Sequence, residues 1–235
     1  MDATGISALF QALTTPHVAD ACVRSGVELR CAPCDLRALC PSDRVVGRVR
    51  PARHHGSVDI FLEALEHASP GEVLVIDNSG RRDEACVGDL IALETKLAGL
   101  AGMVIWGLHR DTRELLEIGL PTFSLGECPA GPLRLDAREA GALTSARVGS
   151  WTVGAGDVAM GDVDGVLFLP AARAEEIAAA ARSIRDAERA QAEKMRHGTS
   201  LRAQLQFSDF LARRSSNPET TLREHLRRIG GAIEE

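Results

Sequence analysis

Residues Gly88 to Glu114 read GDLIALETKLAGLAGMVIWGLHRDTRE, and the reading of this stretch decides the fold. From Leu90 the apolar positions 90, 91, 93, 97, 98 and 100 recur with helical spacing, which predicts a helix opened by Gly88 and Asp89 and stopped near Gly99 and Gly102. Met103 to Trp106 then form a short apolar strand whose end delivers Gly107, Leu108, His109, Arg110 and Asp111. A helix out and a strand back is the unit of an α/β fold, and ligand chemistry in such folds gathers at strand ends. The exposed helix start offers unpaired backbone N–H groups and the positive end of the macrodipole, so a carboxylate or phosphate suits it.

Small elements alternate on both sides of this unit. Upstream, Thr15 as cap, Pro16 at the first helical position and Gly26 as the stop mark a helix. A Cys- and Pro-containing loop covers 30–43, and RVVGRVR at 44–50 reads as a strand with a glycine irregularity. Ser57 caps a helix VDIFLEALEHA, and VLVID at 73–77 is a buried strand. Downstream come a short helix TRELLEIG, a strand PTFSL, a loop over 126–143, and β-rich sequence from Ser145 to Leu169. Residues 171–196 make an Ala-, Glu- and Arg-rich helix whose simplest reading is a solvated surface helix. Two more helices follow, one from Ser200 to about Arg213 and one beginning at Asn217-Pro218. The expected organisation is an α/β core over 1–170 and C-terminal helices over 171–235 that pack on the core or on a neighbouring subunit.

Composition excludes several classes of function. A net charge of -6 and 3% aromatic residues with no tyrosine leave little for nucleic acid to hold. No apolar run approaches the roughly 20 residues that span a bilayer, and MDATGISALFQAL lacks a basic start followed by an apolar core, so a cytoplasmic protein with no membrane partner is expected. Six cysteines, unevenly spaced, suit free thiols. Cys31, Cys34 and Cys40 with His54 or His55 invite a zinc reading, but no second closely spaced ligand pair follows. Gly154-Ala-Gly156 lacks the helix that a dinucleotide fingerprint requires.

Arg110 and Asp111 carry the sharpest chemical signal. An arginine grips a carboxylate with two parallel hydrogen bonds, while an adjacent aspartate suits a hard divalent cation that keeps several of its waters. By themselves the two also describe an ordinary surface pair. His109 stands next to the pair, either touching the site or bonded in a surface loop, while His54 and His55 are expected to be exposed. Arg81, Arg82, Asp83 and Glu84 lie in the loop before the helix start, where specificity residues often sit, but they also read as a solvated charge cluster. No base close in sequence marks Cys86 as a nucleophile.

The whole pattern Gly88, Arg110, Asp111 and Glu114 resembles the signature of class II pyruvate aldolases of the 4-hydroxy-4-methyl-2-oxoglutarate aldolase type, in the family that also holds RraA-like regulators of ribonuclease E. TPHVADAC, VIDNSGRRDEACVGD, GLPTFSLGECPAGPLRLD and GDVAMGDVDGVLFLP also look like blocks of that family, so the resemblance spans roughly 10–196. It implies a compact RraA-like α/β fold of the swivelling phosphohistidine-domain kind, a homotrimer or homohexamer, and an active site between subunits. It further implies that Asp111 helps hold Mg2+ or Mn2+, that Arg110 grips the carboxylate of a small 2-oxo acid, and that Gly88 and the amides of Leu90 and Ile91 share that carboxylate. Asp89 would order a water for proton transfer, and Glu193, from a neighbour's long helix, would complete the catalytic set. The implied activity is cleavage of a 4-hydroxy-2-oxo acid to pyruvate, with oxaloacetate decarboxylation beside it. The alternative is a non-catalytic RraA-like regulator that binds another protein. A methyltransferase reading fails because no glycine-rich nucleotide loop opens a helix after a strand.

Overall fold

Four parallel strands set the frame in the computed structural model, which describes residues 3–230. In chain order the elements are α1 (Ala3–Phe10), α2 (Thr15–Arg24), β1 (Arg30–Cys31), β2 (Arg37–Ala38), β3 (Val45–Arg53), α3 (Asp59–Glu66), β4 (Val73–Asp77), β5 (Ala85–Val87), α4 (Asp89–Leu97), β6 (Gly102–Trp106), β7 (Leu108–His109), α5 (Thr112–Ile118) and β8 (Thr122–Ser124). There follow β9 (Ser145–Val148), β10 (Trp151–Gly154), β11 (Asp157–Asp162), β12 (Gly165–Pro170), α6 (Ala174–Arg196), α7 (Leu201–Gln204), α8 (Phe207–Ser216) and α9 (Leu222–Ile229). Strands β3, β4, β6 and β8 run parallel in one eight-stranded sheet of order β1-β12-β11-β3-β4-β6-β8-β2, whose outer strands are antiparallel. The class is α/β, with a curled sheet and a helical C-terminal part.

Alternation along the strands divides the core. Val73, Val75 and Val104 point to the inside of the curl, where Phe123, Phe168 and the apolar side of the β9–β10 hairpin meet them. Leu74, Ile76, Met103 and Ile105 point outward and are covered by α3, α4 and α5. A third cluster places α1, α2 and α6 on Val158, Met160, Leu167 and Leu169. Strands covered on both faces are why VLVID reads as a continuous apolar run.

Several expectations are corrected here. The first long helix is capped by Thr14, which forms a capping box with His17, while Thr15 is already helical and binds the buried Asp162 carboxylate through its N–H and hydroxyl. Strand β3 runs on to Arg53, and Gly47 answers a close approach, since a Cβ there would lie 2.2 Å from the Gly71 carbonyl. Helix α6 is more than a solvated helix: Ala174, Ile177, Ala178, Ala181 and Ile184 bury one face of its first half. The segment from Ser200 breaks at Gln206 into α7 and α8, and the last helix starts after Thr221 rather than at Asn217. His54 is 4% exposed instead of solvated, and His55 is half-buried.

Candidate active site

Strand β6 and helix α4 bring the two halves of the Gly88–Glu114 stretch face to face. Helix α4 starts at Asp89 with Gly88 as its cap residue, and β5 pairs in parallel with β7 so that the Arg110 N–H donates to the Val87 carbonyl at 2.9 Å. A Cβ on Gly88 would lie 2.4 Å from Asp111 Oδ2 and 3.2 Å from Arg110 Nε. The missing side chain is therefore what lets the carboxylate and guanidinium close on the helix start. Asp111 Oδ2 lies 3.4 Å from both the Asp89 backbone nitrogen and Arg110 Nε, with both side chains partly exposed. These loose contacts leave each group free to bind something else.

Backbone conformation fixes the aim of Asp111. Its φ of 58° and ψ of 41° lie in the left-handed region, a state that a non-glycine residue adopts at a cost of about 1–2 kcal/mol. The residue two before it anchors the corner. His109 is 2% exposed, with Nδ1 2.7 Å from Ser124 Oγ and Nε2 3.0 Å from Thr112 Oγ1. Burial pushes its imidazole below the ordinary value, against weaker upward pulls from Glu127 and the Gly126 backbone. The neutral ring thus ties β7, β8 and the start of α5 together, so His109 is a buried strand residue that neither lines the cavity in front of this corner nor sits in a surface loop.

A cavity of about 220 Å³ opens in front of this corner, lined by Ser57, Val58, Cys86, Gly88, Asp89, Leu90, Ile91, Arg110 and Pro132 among others. In the first turn of α4, Ala92 N–H donates to the Gly88 carbonyl at 3.2 Å and Leu90 N–H is taken by Asp89 Oδ1 at 2.8 Å. Ile91 is left, among the described residues, as the first-turn amide without an acceptor. The structure thus gathers Gly88, Asp89, Leu90, Ile91 and Arg110 around one cavity with Asp111 against Gly88. Glu193 stands apart on α6, bonded to Arg196 and His197 at 2.8 and 3.0 Å. Glu114 lies exposed in the first turn of α5.

Some neighbours escaped the sequence reading. A Cβ on Gly131 would lie 2.9 Å from Arg110 Nη1, so the 126–143 loop reaches over the guanidinium. The glycine between two prolines at 129–132 was the only signal, and it marks a turn rather than a partner. Cys86 faces the cavity, but burial raises its thiol to about 12, which keeps it protonated and inert. Of the charged loop, Glu84 is buried and held by Arg81, while Arg82 pairs with Asp35. None of residues 81–84 lines this cavity.

Among the described residues no three His, Cys, Asp or Glu side chains converge. Magnesium and manganese do not demand such a cage, since one or two carboxylates plus waters and substrate oxygens suffice for Mg2+. Asp111, a partly exposed oxygen donor beside the start of α4, fits that mode.

An arginine and a helix start line one cleft of an α/β fold, with an aspartate held against the helix start. Residues 15–168 match the RraA-like family, described as Aldolase/RraA, and the chain belongs to that family. It is 31% identical over 143 residues to a Halalkalibacterium halodurans protein named "Putative 4-hydroxy-4-methyl-2-oxoglutarate aldolase", a match covering 60% of this chain and 67% of that one. Among solved structures, an uncharacterised Pseudomonas syringae protein superposes with a TM-score of 0.73 at 24% identity, covering 85% of this chain and 96% of that one. RraAS2 of Streptomyces coelicolor, described as an unusual member of the RNase ES inhibitor RraA protein family, gives 0.69 at 23%, covering 79% and 94%. No helix of the described residues is long and apolar enough to cross a membrane.

Proposed function

We propose that this protein is a divalent-metal-dependent carbon–carbon lyase that cleaves a 4-hydroxy-2-oxo acid to pyruvate and a second carbonyl compound, with oxaloacetate decarboxylation as a companion activity. The observation that carries the reading is the bare Gly88, which lets Arg110, Asp111 and the start of α4 share one point. Arg110 grips the substrate carboxylate, and the Ile91 amide with the α4 dipole shares it. Mg2+ or Mn2+ held by Asp111 supplies Lewis-acid stabilisation of the enolate charge that both reactions develop. Asp89 and a water that it would hold take the 4-hydroxyl proton and return a proton to the enolate carbon, with Glu193 of a neighbouring copy assisting as a second carboxylate.

A homotrimer or homohexamer in the cytoplasm belongs to the same reading. Leu90, Leu93 and Leu97 are 74%, 43% and 73% exposed on one side of α4, while Ile91, Ala92 and Thr95 face the core. An apolar stripe beside the cleft suits a neighbouring subunit that closes it. The second reading, a non-catalytic protein-binding regulator, draws on the likeness to RraAS2 and to the Thermus RNA-processing inhibitor RraA, 27% identical with a TM-score of 0.57. Arg110 and Asp111 together favour the lyase.

The test is pyruvate release from oxaloacetate and from 4-hydroxy-4-methyl-2-oxoglutarate, with magnesium, with chelator, and in Arg110→Ala. Turnover that chelator abolishes is expected, with Arg110→Ala raising KM more than it lowers kcat. Absence of metal-dependent turnover on every 2-oxo acid tried would leave the regulator reading.

A further inference from the structure

A second cavity, of about 300 Å³, lies on the other side of residues 53–58 and shares no lining residue with the first. Its floor is the carboxyl end of two parallel strands, where Arg53 of β3 and Asp77 of β4 stand in register. Its wall is one face of the β9–β10 hairpin. Ser145 and Arg147 alternate with the buried Ala146 and Val148, and Thr152 pairs opposite Arg147, so all three polar side chains share the outward face. His55 and Ser79 complete the lining, joined by a 2.8 Å bond between Nε2 and Oγ, and Ser79 holds a left-handed φ of 57°.

The charges are arranged to receive an acid. Asp77, 3% exposed, is already satisfied, accepting from the Ser79 N–H at 2.8 Å and the Arg147 N–H at 2.9 Å. It braces the hairpin on the strand end, and its charge is met by these two N–H donors. Arg147's guanidinium is exposed and, among the described residues, makes no hydrogen bond or ion pair. Arg53 Nε is buried without a partner, while its Nη2 holds the exposed Glu139 carboxylate at 3.0 Å. The cavity thus contains two guanidiniums, an imidazole and three hydroxyls, and one guanidinium already grips a carboxylate borrowed from the 126–143 loop.

The structure assigns this cavity as a second small-molecule site, for a short organic acid whose carboxylates span Arg53 and Arg147 and whose hydroxyl or oxo group meets Ser79, Ser145 or Thr152. A carboxylate is favoured over a phosphate by the backbone. Phosphate sites are commonly built from convergent free N–H groups. Here the N–H groups of Ser79, Gly80, Arg81 and Arg147 are all engaged, to Asp77, Trp106, Asn78 and Asp77 respectively. Planar guanidinium forks remain; these match carboxylate and phosphate alike, so the engaged backbone N–H groups decide for the carboxylate. Glu139 is the internal competitor that the ligand displaces from Arg53. The assignment stands independently of the lyase reading.

Isothermal titration of L-malate into the Arg110→Ala protein tests it, because that background weakens any acid bound in the first cavity. A single saturable site is expected. Adding Arg147→Gln, an exposed change that breaks no bond, is expected to weaken malate by about tenfold or more, and Glu139→Gln to tighten it by about threefold or more as the competitor is removed. Circular dichroism matched to the parent shows that the variants fold. Loss of all malate binding in Arg110→Ala, an unchanged affinity in Arg147→Gln, or equal affinity for inorganic phosphate would each overturn the assignment.

Discussion

Asp111 and Gln206 are both non-glycine residues with left-handed backbone, at φ of 58° and 48°, and both stand at the start of a helix. At Asp111 the conformation sets a carboxylate against Gly88 and the start of α4, and a buried histidine two residues before it locks the corner. At Gln206 it lets the chain turn between α7 and α8 so that Leu205 and Phe210 are buried with Leu226 and His225, whose Nε2 lies 2.8 Å from the Leu205 carbonyl. Strain of the same size thus serves the proposed chemistry in one region and packing in the other. An αL residue points to function only when its side chain faces a site.

The largest effect that this contrast predicts is at Asp111. Asp111→Gly removes the carboxylate and relieves the backbone together, so metal-dependent turnover should fall about 100- to 1,000-fold while the thermal midpoint holds or rises. A midpoint that falls sharply would show that the Asp111 side chain carries packing. Gly88→Ala comes next. The new Cβ would stand 2.4 Å from Asp111 Oδ2 and push the carboxylate off the helix start. A displacement of about 1 Å at such a corner is worth on the order of 100-fold in rate, so kcat of Gly88→Ala is expected to fall by that amount with little change in stability. Activity at the parental level would mean that the close approach has no role in turnover.

The corner also carries a pH signature. Burial holds His109 below its ordinary value, so below roughly pH 6.5 the unfolded chain binds more protons than the folded one. The stability that the neutral ring contributes is complete above that pH and is lost as pH falls toward the lowered folded value. Urea midpoints measured between pH 8 and pH 5 should therefore fall on the acid side, and His109→Gln should shallow that fall whatever its stability at pH 8. Identical slopes for the two proteins would remove His109 as the group that titrates.

The helix–strand unit was legible because its two halves lie within 27 residues and each obeys one period. Arg110, Asp111 and Gly88 could be grouped on spacing and resemblance. The inward face of α4 was less legible: Leu90, Leu93 and Leu97 satisfy helical spacing yet face outward, and the helix buries Ile91, Ala92 and Thr95. Periodicity finds an apolar stripe but does not say which partner covers it. The two-residue strands β1 and β2, which pair with β12 and β8 across more than 80 residues, have no period to read. The second cavity was invisible for the same reason, since Arg53, Asp77, Glu139 and Arg147 converge only when the sheet curls. His54 misled because a doublet of histidines after a strand looks solvated, whereas α3 covers the first of them and brings Asp59 within 3.5 Å.

The smallest effect tests the other side of the contrast. At Gln206 a glycine removes an αL penalty of about 1–2 kcal/mol, while the greater freedom of glycine in the unfolded chain costs about 0.5–1 kcal/mol. The backbone terms therefore favour Gln206→Gly by roughly 0.5–1 kcal/mol. The Gln206 N–H donates to the Ala203 carbonyl and its carbonyl accepts from Asp209 and Phe210, and glycine keeps all three bonds. The urea midpoint should rise slightly at constant m-value, with turnover untouched. A lower midpoint would mean that the Gln206 side chain itself holds the α7–α8 turn. A change in turnover would mean that the tail reaches a catalytic cleft, which in this fold requires a second copy of the chain.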